Sequence, residues 1–220
     1  MIDGARLAPA SGGKAKSLVV LIHGYGADGN DLIGLGQEWA RALPDTAFVS
    51  PHAPDPCAQS PMGREWFPLT MRDPHEYARG VERARPALDA FLNRELSSLG
   101  LDDSRLALVG FSQGTMMALH CGPKRAGTIA GILGYSGLLA DPASLAAGET
   151  RRPPVLLVHG DQDGVIPVAA LFGAVQGLSA AGIPVEWHVS EGTPHGIPPY
   201  SVALGGAFMR RVLYPPRAPS

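Results

Sequence analysis

The chain has 220 residues, 45% apolar and 17% charged, a balance that suits one folded domain spanning residues 1–220 and excludes a disordered one. Lys and Arg number 18 against 20 Asp and Glu, and no basic run exceeds a pair such as Arg151-Arg152, so nucleic acid is excluded as a partner. Two cysteines, Cys57 and Cys121, make neither a disulfide framework nor a metal-binding spacing, and no stretch approaches the roughly 20 apolar residues of a membrane span.

The cysteines read as free thiols of a reducing compartment. The first apolar run, Leu18 to Ile22, is too short for a signal peptide, so the expected location is the cytoplasm, without stable membrane insertion.

In chain order, Ser17 to Ile22 is predicted as a buried strand, apolar without alternation as parallel strands are. Asn30 to Leu43 follows as a helix with Leu32, Leu35, Trp39 and Leu43 on one face, and Ala47 to Ser50 as a short strand. Pro51 ends that strand and opens an irregular stretch to about Pro74, long enough to be functional. Arg79 to Leu99 is predicted as a helix kinked or begun at Pro86. Arg105 to Gly110 is a strand and Ser112 to Cys121 a helix with small residues inward. Thr128 to Gly134 and Pro154 to His159 are strands, Val168 to Ala181 a helix, Pro184 to Ser190 a strand and Pro199 to Leu213 a last helix. Strands alternating with helices predict an α/β domain, its central sheet mostly parallel and covered by helices on both faces.

The chemistry centres on Gly110-Phe111-Ser112-Gln113-Gly114. The string is weak alone, but here it joins a predicted strand to a predicted helix, the setting in which a serine nucleophile sits on a sharp turn above the sheet. Such a serine needs a base and an orienting acid, in the order Ser, acid, His. The loop after the strand ending at His159 offers Asp161 and Asp163, and Asp163 is favoured because it reaches further past the strand end. The loop after Ser190 offers His195, while His188 falls inside a strand and His23 and His159 read as turn residues at strand ends. No His pair has metal-site spacing, and Asp161-Gln162-Asp163-Gly164 lacks the remaining ligands of a calcium loop, so neither a metal nor another cofactor is expected.

An acyl-transfer site also needs main-chain donors for the developing oxyanion. Gln113, after the nucleophile, is one, and Tyr25 in His23-Gly24-Tyr25-Gly26 is the other. Within the long stretch, Trp66 and Phe67 with Leu69 are expected to wall the acyl site, joined by Val165 and Ile166 beside Asp163.

Together these segments resemble the phospholipase/carboxylesterase family of bacterial carboxylesterases and acyl-protein thioesterases. The likeness rests on Leu21-Ile22-His23-Gly24-Tyr25-Gly26, Pro51-His52-Ala53-Pro54, Trp66-Phe67, Gly110-Phe111-Ser112-Gln113-Gly114, Tyr135-Ser136-Gly137, His159-Gly160-Asp161-Gln162-Asp163 and His195-Gly196. Tyr25 stands where many members carry a smaller aliphatic residue, and Thr193-Pro194 replaces a common Gly before His195. The resemblance implies an α/β-hydrolase fold without a separate cap domain and hydrolysis of small-molecule carboxylic esters or thioesters. A serine carboxylesterase of small or medium acyl chains is the leading reading. A thioesterase or lysophospholipase with the same triad, and a non-catalytic binding protein on the scaffold, stand as alternatives. A dienelactone hydrolase fits less well, since that related group uses Cys where Ser112 stands. A homodimer is compatible with every one of these readings.

Overall fold

The computed structural model describes residues 2–70, 73, 75–146 and 150–215. The ends of the predicted 1–220 domain, and Pro74 at the end of the long irregular stretch, lie outside the described residues.

The elements run β1 (Gly4–Leu7), β2 (Ser17–Ile22), α1 (Gly29–Trp39), β3 (Thr46–Pro51), β4 (Asp55–Pro56), β5 (Arg64–Glu65), α2 (Glu76–Leu99), β6 (Leu106–Phe111), α3 (Gln113–Cys121), β7 (Gly131–Tyr135), β8 (Val155–Gly160), α4 (Ala169–Ala180), β9 (Val185–Ser190) and α5 (Pro199–Leu213). Seven strands form one sheet in the order β1-β3-β2-β6-β7-β8-β9. All neighbours in it are parallel except β1, which pairs antiparallel with β3.

Strand β2 explains why both faces are covered. Its six residues are all buried, and successive side chains point to opposite faces. Leu18, Val20 and Ile22 belong to one buried cluster with residues of α2, α3 and α4, whereas Val19 and Leu21 belong to a second with residues of α1 and α5. A strand apolar on both faces settles in the middle of such a sheet, where each side chain buried is worth about 1.5–3 kcal/mol.

The register aligns the carboxyl ends of the central strands. Ile22 pairs with Gly110, Phe111 with Tyr135, and Tyr135 with Val158. The segments after β2, β6, β8 and β9 therefore emerge along one edge, where ligands bind in open α/β sheets.

Several boundaries differ from expectation. Helix α1 stops at Trp39, and Leu43 belongs to the turn that follows, its N–H still donating to the Trp39 carbonyl at 2.9 Å. Helix α2 begins at Glu76, passes through Pro86 and ends on Gly100, whose φ of 67° is the left-handed cap. Helix α3 buries all nine of its residues, Met116, Met117 and Leu119 among them, because it is wedged between the sheet and α2. Strand β7 begins at Gly131 rather than Thr128.

Candidate active site

The turn between β6 and α3 holds Ser112 at φ 52° and ψ −115°, a conformation that L-residues adopt only when their surroundings impose it. The surroundings do so here. A Cβ on Gly114 would collide with the carbonyl of Ile22, and one on Gly110 with the backbone of Gly114. The turn therefore closes only with glycine on both sides. The Ser112 N–H donates to the Tyr135 carbonyl at 2.9 Å, and Thr115 Oγ1 donates to that same carbonyl at 2.8 Å.

Asp163 and His195, the expected acid and base, come from the loops after β8 and β9. Asp163 Oδ2 lies 2.7 Å from His195 Nδ1, and Oδ1 accepts the N–H groups of Val165 at 2.9 Å and Ile166 at 2.8 Å. Burial pushes the Asp163 carboxyl up, but the hydrogen bond from His195 and those from Ile166 and Val165 outweigh it and hold it below its ordinary value. The group that faces His195 is thus a carboxylate. His159 Nε2 donates to the Ile166 carbonyl at 2.8 Å and lies 3.3 Å from Asp163 Oδ2, so it braces the acid's loop from beneath.

Asp161 points elsewhere, its Oδ1 accepting the exposed Thr193 N–H at 3.2 Å. The two loops are tied directly: the Gln162 N–H donates to the Thr193 carbonyl at 3.0 Å, and a Cβ on Gly160 would collide with that carbonyl. The Thr193-Pro194 sequence is accommodated in this way. The Phe111 ring, its centroid 4.8 Å from that of His195, packs against the imidazole.

Ser112 and His195 line one cavity of about 390 Å³, together with Tyr25, Gln59, Leu69, Tyr77, Gln113, Met116, Val165 and Ile166. Among the described residues, the Ser112 hydroxyl forms no hydrogen bond. Catalytic contacts of this kind often tighten only once substrate is bound. The main-chain N–H groups of Tyr25 and Gln113 likewise have no acceptor among the described residues. Gln113 begins α3, where first-turn N–H groups are unpaired by construction. Burial, then the Cys57 thiol and the Glu65 carboxyl beside it, push the ionisation of the Tyr25 hydroxyl up, so that hydroxyl is neutral.

Trp66 and Phe67 are placed differently from the expectation that they wall the acyl site. Both are buried in the core, and neither reaches the cavity. The Trp66 N–H donates to Gln113 Oε1 at 2.9 Å, its indole Nε1 donates to the His23 carbonyl at 3.1 Å, and Phe67 packs against Gly80 of α2. An apolar pair on a chain crossing the sheet edge gains more from full burial than from a half-wet wall. Leu69, Val165 and Ile166 are in the wall. Gln59, Tyr77 and Met116 were not anticipated. Met116 sits four residues after Ser112, one helical turn on, and that spacing is a signal that could have found it.

A larger cavity, of about 590 Å³, opens beside His52 and Arg64 but contains no nucleophile paired with a base. Chemistry rather than size marks the site. Among the described residues no group of His, Cys, Asp or Glu is arranged to hold a metal ion, and no helix is long and apolar enough to cross a membrane.

Comparison with known proteins matches residues 8–212 to the phospholipase/carboxylesterase family model. The chain is 27% identical over 214 residues to acyl-protein thioesterase 1 of Gibberella zeae, covering 90% of this chain and 91% of that protein. It is 28% identical over 184 residues to esterase YpfH of Escherichia coli (strain K12), covering 83% of this chain and 77% of that protein. The crystal structure of esterase PE8 superposes with a TM-score of 0.92 at 44% identity, covering 96% of this chain and 99% of that one.

Proposed function

The chain belongs to the phospholipase/carboxylesterase family, and from that premise we propose that it is a serine carboxylesterase acting on small or medium acyl chains through Ser112, His195 and Asp163. The observation that carries this reading is the 2.7 Å contact between His195 Nδ1 and Asp163 Oδ2, with His195 lining the cavity that also holds Ser112.

Asp163 keeps the Nδ1 proton on its own side of the imidazole and leaves Nε2 with its lone pair. That nitrogen takes the Ser112 proton as Oγ attacks the ester carbonyl carbon. The carbonyl oxygen becomes an oxyanion facing the N–H groups of Gln113 and Tyr25. The tetrahedral species collapses as the C–O bond to the alcohol breaks, and His195 returns its proton to that leaving group. Water then attacks the acyl-serine by the same route, releasing the acid and restoring Ser112.

A cavity of about 390 Å³ favours short and medium acyl groups over long chains. Cys57 and Cys121 are unpaired and buried, which favours a reducing compartment such as the cytoplasm. The test is a panel of p-nitrophenyl esters from acetyl to hexadecanoyl beside a long-chain acyl thioester. Activity that peaks at or below about octanoyl supports the reading. A preference for the long-chain thioester would move the assignment to a thioesterase.

A further inference from the structure

One connected set of buried groups lies outside the triad, and it runs from the residue after Ser112 to the residue before Tyr25. Gln113 is fully buried, and its carboxamide does the work of a strand partner. Oε1 accepts the Trp66 N–H at 2.9 Å and Nε2 donates to the Phe67 carbonyl at 2.8 Å. Trp66 in turn donates its indole N–H to the His23 carbonyl at 3.1 Å.

The His23 ring is fully buried and its two nitrogens have fixed, opposite roles. Nδ1 faces the Gly24 carbonyl at 2.7 Å, a partner that can only accept, so Nδ1 carries the proton. Nε2 faces the Ala53 N–H at 3.0 Å, a partner that can only donate, so Nε2 is the acceptor. The Gly24 carbonyl belongs to the same peptide plane as the Tyr25 N–H. In a trans peptide these two groups point in opposite directions, so fixing one aims the other. A Cβ on Gly24 would crowd Cβ of Ser112, which places this peptide against the nucleophile.

We propose that the His23 imidazole, supported by the Trp66 indole and the Gln113 carboxamide, is a positioning group that aims the Tyr25 N–H and sets its spacing from the Gln113 N–H. The inference rests on the proposed esterase mechanism and adds residues that touch no substrate. Their effect falls on the transition state, because the oxyanion exists only there.

The test compares His23→Leu, His23→Asn and Trp66→Phe with wild type on p-nitrophenyl acetate and on a trifluoromethyl ketone that forms a tetrahedral adduct. An Asn side chain can still donate to the Gly24 carbonyl, whereas Leu cannot. His23→Leu is expected to lower kcat by about 100-fold and weaken ketone binding by a similar factor, with KM changed less than about twofold. His23→Asn is expected to recover most of that loss even though it leaves the Ala53 N–H unpaired and lowers Tm. Trp66→Phe, which removes the indole N–H but leaves an aromatic ring in its place, is expected to lower kcat by about 10-fold in the same pattern, and it carries the test if His23→Leu does not fold.

Equal losses in His23→Leu and His23→Asn that follow their Tm values, or a Trp66→Phe variant with unchanged kcat, would overturn the inference. Labelling of wild type with a fluorophosphonate separates the two levels. A wild type labelled at Ser112 alongside unaffected variants sinks the positioning role alone. A folded wild type that is neither labelled nor active sinks the esterase mechanism, and the inference with it.

Discussion

The imidazole of His195 meets the carboxylate of Asp163 through a single oxygen, Oδ2 at 2.7 Å from Nδ1, while Oδ1 is occupied by two main-chain N–H groups. The Asp163 carboxylate is therefore held on both sides, one oxygen facing the His195 imidazole and the other locking the carboxylate plane. Asp163→Asn replaces an acceptor by a donor on one of these sides and is expected to lower kcat by roughly 10³ to 10⁴. Asp161→Asn, which alters only an exposed contact to Thr193, is expected to leave kcat within about threefold. Steady-state kinetics on the two purified variants gives the ranking, and the reverse order would move the acid to Asp161.

Ser112→Ala is expected to lower kcat by roughly 10⁴ to 10⁶ with the fold intact. Ser112→Gly should be as inactive yet more stable than wild type by about 1 kcal/mol, because glycine accepts the φ of 52° that serine holds under strain. Urea unfolding of both variants tests this, and a less stable Ser112→Gly would show that the turn is not strained.

Stability should decline on acidification in two stages. Burial lowers the His23 ionisation below its ordinary 6.5, against the opposing effect of the Gly24 carbonyl. The folded state thus binds fewer protons there than the unfolded chain, and stability falls as pH drops below about 6.5. Asp163 is also depressed, below 3.8, so its contribution is complete above that value and lost as pH falls through the folded one. Tm measured from pH 8 to 2 should begin to fall near pH 6.5 and fall again below 3.8, and the His23 ring signals in NMR should titrate below 6.5. A His23 signal that titrates at 6.5 would contradict the buried neutral ring.

The cavity wall yields a separate contrast. Leu69→Ala is expected to reduce kcat/KM more for hexanoyl than for acetyl esters, by up to about 0.8 kcal/mol for each methylene that loses contact. Trp66→Ala should instead lower stability by about 3–5 kcal/mol and scale acetyl and hexanoyl esters alike. Thermal denaturation beside an ester series separates the two, and a chain-length bias in Trp66→Ala without loss of stability would return Trp66 to the wall.

These contrasts mark where sequence reading reached and where it stopped. The β6–Ser112–α3 turn was legible because glycine spacing, a buried strand and a following helix are all local signals. The order of Ser112, Asp163 and His195 along strand ends was legible for the same reason. Strand β1 was not, since Gly4–Leu7 is three half-buried residues and one exposed one, whose pairing with β3 depends on a segment over 40 positions away. The burial of Trp66 was equally hidden. Composition marked it as a large apolar group under a long connection, but its partners Gln113 and His23 lie 47 and 43 residues away. The side-chain role of Gln113 is of the same kind: its position made it the expected main-chain donor, and only the folded chain brings its carboxamide to Trp66 and Phe67.

The central claim is that Ser112 is the nucleophile, and intact-mass analysis after treatment with a fluorophosphonate tests it most directly. The account predicts one adduct per chain, mapped by peptide sequencing to Ser112, lost in Ser112→Ala and formed in step with the disappearance of esterase activity. An active enzyme that stays unlabelled, or an adduct on another residue that removes activity, would contradict it.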